Sequence, residues 1–87
     1  LALADTLGRQ QRWAEAQQAW FDAHRLAPDD PDIAYNLAVS LDHLGQTRPA
    51  ARYYRKALQL SERRPARFSS EHAETRLNAL QATEPPP

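Results

Sequence analysis

Apolar residues recur along this chain every three or four places, the period of a helix that buries one face. Leu1, Leu3, Ala4 and Leu7 open the series, and Gly8-Arg9-Gln10-Gln11-Arg12 interrupts it, which predicts a short first helix followed by a turn. A second helix is expected from about Trp13 to Leu26, with Ala16, Ala19, Trp20, Ala23 and Leu26 on its apolar stripe and Pro28 beyond its end. Asp29-Asp30-Pro31-Asp32 is a start signal. Asp30 can cap free amides, Pro31 has its φ preset for a first turn, and Asp32 sits at the positive end of the dipole. The third helix then carries Ile33, Leu37, Ala38, Leu41 and Leu44, and Gly45 stands where a left-handed terminating residue is wanted. Thr47 is the expected cap of a fourth helix, with Pro49 in its first turn and Ala50, Tyr53, Tyr54, Ala57, Leu58 and Leu60 as its stripe. Pro65 pushes Arg64 toward extended backbone and breaks the period. A last helix is expected from Ser69 or Ser70 to Gln81, on the stripe Ala73, Leu77 and Leu80, before Pro85-Pro86-Pro87.

The pattern also repeats at long range. Leu3, Ala4, Leu7, Ala16, Trp20, Ala23 and Leu26 recur 34 places on as Leu37, Ala38, Leu41, Ala50, Tyr54, Ala57 and Leu60 (3 to 37, 26 to 60). Such a tandem repeat of helical pairs builds a surface rather than an enclosed pocket. These residues resemble the tetratricopeptide repeat. The second copy fits it in Leu37-Ala38, Leu41, Gly45, Ala50, Tyr54 and Ala57; the first fits in Leu3-Ala4, Leu7, Trp13, Ala16, Trp20, Ala23 and Pro28, with Gln11 where glycine is usual.

The resemblance implies an all-α, right-handed α-α superhelix of two helix-turn-helix hairpins and a C-terminal capping helix. Its expected divisions are a domain over 1–82, with repeat one at 1–30, repeat two at 31–64 and the cap at 69–81, then a proline-rich tail over 83–87. It implies a protein-interaction module, part of a larger protein, that holds a peptide or helix in a concave groove. That groove would be lined by Asp5 and Arg9 of the first copy and Asp32, Tyr35, Asn36, Val39, Asp42 and His43 of the second. Its acidic balance favours a basic peptide, and Asn36 can offer a donor and an acceptor to an extended backbone. Chaperone-binding members use an asparagine placed like Asn36 to clamp a C-terminal carboxylate; here the basic clamp residues are not evident, and Asp5 stands at a clamp position.

Composition narrows the alternatives. Of 87 residues, eleven are basic and eleven acidic, so net charge points neither to nucleic acid nor to a membrane surface. No apolar run approaches the roughly 20 residues that span a bilayer. With no cysteine there is no disulfide or thiolate chemistry, which leaves the compartment open. His24, His43 and His72 lack a zinc-binding spacing, and Gly8 and Gly45 build no phosphate-cradling loop. No catalytic, metal or cofactor site is therefore expected. Two repeats are few for a stable stack, so self-association through Leu1, Leu3 and Leu7 is an alternative, and the first helix reads as cut open at Leu1. A second alternative is a basic convex strip, Arg48, Arg52, Arg55 and Arg63, which could meet an acidic partner or, as the lesser reading, nucleic acid.

Overall fold

Four helices, α1 (Ala2–Leu26), α2 (Pro31–His43), α3 (Thr47–Ser61) and α4 (Ser70–Ala82), follow one another in a computed structural model that describes residues 2–82, with side chains from Gln11 onward. The described residues contain no strand, in keeping with an all-α class.

Helix α2 starts and stops where local chemistry dictates. The Asp30 carboxylate accepts from the N–H groups of Asp32 and Ile33 at 2.9 and 3.3 Å, and Pro31 and Asp32 occupy the first turn. At the other end Gly45 takes φ +76°. The Gly45 N–H donates to the Asp42 carbonyl at 3.1 Å and the Gln46 N–H to the Leu41 carbonyl at 2.9 Å, the two bonds of a Schellman motif. This closure turns the chain back on itself. Helix α3 then lies along α2, and Ala34, Leu37, Ala38 and Leu41 are buried with Ala50, Ala51, Tyr54 and Ala57. Five of these eight are alanines, two on α2 and three on α3, small enough to let the helix axes approach toward the short end of about 8 to 10 Å.

Thr47 does not cap α3. The Gln46 carbonyl already accepts from Ala50 N–H at 3.0 Å, so the helix begins one residue early and Thr47 is its first residue; the cap position falls to Gln46, which makes no side-chain bond. Helix α4 begins as expected, with the Ser69 hydroxyl accepting from His72 N–H at 3.3 Å, and it buries Ala73 and Leu80 against α3 and α2.

The turn expected between positions 8 and 12 does not form. Helix α1 runs through it for 25 residues, so one long helix stands where a first hairpin was expected. A lone glycine costs a helix about 1 kcal/mol, and the flanking Arg9, Gln10, Gln11 and Arg12 are good helix formers with no proline or cap among them. The α1 stripe is also less buried than its spacing predicts. Trp20 and Phe21 pack on the core, but Ala19 is exposed and Leu26 is 88% exposed, because α1 has α2 as its main neighbour and presents a stripe wide enough for more. The tail over 83–87, and the side chains of Leu1, Leu3 and Leu7, lie outside the described residues.

Candidate functional site

Positions 32, 35, 36, 39, 42 and 43 are three or four apart and share one face of α2. Two clefts follow this face and meet at Tyr35. The first, of about 500 Å³, lies between Trp20 of α1, the start of α2 and the segment leading into α4, and is bordered by Asp30, Asp32, Asn36, Arg67 and Phe68. The second, of about 340 Å³, is bordered by Val39, Asp42 and His43 of α2, Tyr54 of α3, and His72 and Arg76 of α4.

In the first cleft Asp32 works as an anchor. Its Oδ1 accepts from the backbone N–H groups of Arg67 and Phe68 at 2.7 and 3.3 Å, which seats the Phe68 ring flat on Tyr35, with centroids 4.5 Å apart and planes 1° from parallel. Burial pushes the Tyr35 phenol above its usual pKa. The Asn36 carbonyl accepts from the Ser40 hydroxyl at 3.1 Å, while the Asn36 side-chain amide makes no hydrogen bond among the described residues. This half-buried amide, beside an aromatic floor and an acidic rim, keeps both its donor and its acceptor uncommitted.

The second cleft is closed by charge. Arg76 grips the Asp42 carboxylate with two bonds, Nε and one terminal nitrogen donating at 2.8 Å each, and the Tyr54 hydroxyl donates to the same carboxylate at 3.1 Å. Burial first, and then the charge and hydrogen bond of Asp42, push the Tyr54 phenol far above its usual range. The hydrogen bond to Asp42, and then its charge, raise Arg76 as well. At the end of the face His43 stacks on Trp13 with centroids 3.9 Å apart and planes 5° from parallel.

All six α2 residues expected to line a groove therefore border one of these two clefts. Asp5 and Arg9 lie on α1 where side chains are outside the described residues. The structure changes the balance along the face, because Asp42 is neutralised by Arg76 and the free acidic character gathers at Asp29, Asp30 and Asp32. The side chains that complete the site, Trp13, Phe68 and Arg76, were not singled out by sequence reasoning for this role. Arg76 stands 34 positions after Asp42, on the helix that follows the second copy, and meets it only through tertiary packing. Arg48, Arg52, Arg55 and Arg63 are all exposed. Among the described residues no group of three or more His, Asp or Glu is placed to hold a metal ion, and no helix is long and apolar enough to cross a membrane.

No protein-family model matches this chain, and no curated protein or solved structure matches it.

Proposed function

We propose that the chain is a protein-interaction module of tetratricopeptide-repeat type, which holds a basic segment of a partner protein along the α2 face. The repeat reading rests on the 34-residue register, the α2–α3 hairpin closed at Gly45, the buried alanines between its helices and the polar-faced α4 at its end. In this reading the helices stack as a right-handed superhelix, and α1 carries both helix positions of the first repeat in one continuous helix. The observation that carries the binding role is the uncommitted Asn36 amide in a cleft with Trp20, Tyr35 and Phe68 on its walls and Asp30 and Asp32 on its rim. An extended segment would exchange backbone hydrogen bonds with Asn36, lay an apolar side chain on the aromatic rings and direct Lys or Arg toward the two aspartates.

Selection from a displayed random-peptide library tests this reading. Peptides that bind the wild-type chain should be rich in Lys or Arg and should lose about tenfold in affinity toward Asn36→Ala, the effect of about 1.4 kcal/mol. The variant's thermal midpoint should not move, because the Asn36 amide holds nothing in the fold. Selected peptides that bind wild type and Asn36→Ala equally would remove the groove from the proposal.

A further inference from the structure

Charge is unevenly divided over this neutral chain. Positions 47–64 hold six basic side chains, Arg48, Arg52, Arg55, Lys56, Arg63 and Arg64, and one acid, Glu62; all other positions together hold five basic and ten acidic residues. Arg48, Arg52 and Arg55 are four and three apart, which sets them on one face of α3, and all three are exposed. The ion pairs among the described residues are Asp22 with Arg25 and Asp42 with Arg76, so no member of this strip is paired with an acid among the described residues.

Helix α3 derives no benefit from this arrangement. Like charges at 48 and 52, and at 52 with 55 and 56, repel across one helical turn. Arg48 is the second residue of α3, at the positive end of its dipole, and the first turn holds no acid. A helix selected for its own stability would place Asp or Glu there. The strip continues into a cleft of about 350 Å³ at the far end of α3, where Lys56, Gln59, Glu62 and Arg63 surround the half-buried Leu60, two bases against one acid. A line of guanidinium forks thus leads to a spot with an apolar floor.

The surroundings choose between kinds of anion. A single-stranded nucleic acid needs rings to stack its bases, and the nearest ring on α3, Tyr53, is held edge-on between Phe21 and His24. A duplex is a long polyanion, and the rest of this chain, with ten acids to five bases, would repel it. A short acidic protein segment meets the strip alone. We propose that the exposed face of α3 is a second interaction surface, which takes a carboxylate-rich segment of a partner protein. Two or three carboxylates at helical spacing would pair with Arg48, Arg52 and Arg55, and an apolar side chain would reach Leu60. This surface is independent of the α2 face.

The test uses the full chain and a fluorescein-labelled helical peptide of glutamates with leucine at every fourth place, followed by fluorescence anisotropy. Binding is expected at about 20 mM salt and should weaken several-fold at about 150 mM, as exposed charge pairing is screened. The double variant R52E/R55E should lose about tenfold or more, with a thermal midpoint equal to or above wild type, since it removes like-charge neighbours. Asn36→Ala should bind this peptide as wild type does. Unchanged peptide binding by the double variant would overturn the proposal. Tighter binding of a labelled 20-bp duplex than of the peptide would overturn it in favour of nucleic acid. Dimerisation at low salt that is lost in the double variant would overturn it in favour of a second copy of this chain.

Discussion

His24 is 8% exposed, meets the Tyr53 ring edge-on, and leaves its Nδ1 without a hydrogen-bond partner among the described residues. Burial, and then repulsion from Lys56, hold its pKa below the ordinary 6.5. The unfolded chain therefore takes up the proton first as pH falls. The stability tied to neutral His24 is whole above pH 6.5 and is lost as pH drops from there through the folded value. Thermal melts from about pH 7.5 down to about pH 5 should show a falling midpoint, and His24→Phe, which keeps the ring contact, should flatten that limb. An equally steep limb in the variant would assign the acid sensitivity elsewhere. Asp42 is the second residue whose surroundings can be tested. Its side chain is 17% exposed and serves two donors, so Tyr54→Phe should cost about 1 kcal/mol. Arg76→Met should cost about the same, since the arginine is 39% exposed and its pairing is partly screened. Because both donors act on one carboxylate, their double variant should depart from the sum in denaturant melts. Strict additivity would mean that the three groups do not act together.

At the scale of elements, the hairpin of α2 and α3 depends on one backbone conformation. Gly45 holds φ +76° with open space where a Cβ would be built, so Gly45→Ala meets backbone strain alone and should cost about 1 kcal/mol. Gly45→Asn should cost less, because asparagine tolerates that conformation, and equal losses in urea melts would show that something other than φ is at stake. This end of α2 was legible because its signal is local: Asp30, Pro31 and Gly45 each act on amides within a few residues. Ser69 before α4 is a signal of the same kind. The first turn was misread because Gly8 is a weak instruction amid good helix formers, and a long helix costs less than a poorly supported turn. Thr47 failed for a different reason, since the tight closure at Gly45 used the cap position one residue sooner. The α2 face could be traced from its three- and four-residue spacing, whereas Phe68 and Arg76 reach it through tertiary contacts. No local pattern announces that Asp32 will hold the backbone of residues 67 and 68.

Across the whole molecule, the repeat is unequal at its two ends. Tyr54 is almost wholly buried between α2 and α4, while its counterpart Trp20 is half-buried and borders the larger cleft. The same position of the 34-residue register thus packs in one copy and borders an open cleft in the other. Opposite charges are likewise assigned to different faces, with acids at the start of α2 and arginines along α3. Neutral overall charge conceals both. The most direct test of a partner-binding α2 face is photo-cross-linking in the cell that makes the protein, with benzoylphenylalanine in place of Asn36 or, as a comparison, of the exposed Ala79 on α4. Position 36 is predicted to trap a discrete partner, and the adduct should fade when a Lys- or Arg-rich peptide selected against the chain is supplied in excess. Equal adducts from positions 36 and 79, or an adduct at 36 that the peptide does not reduce, would contradict it.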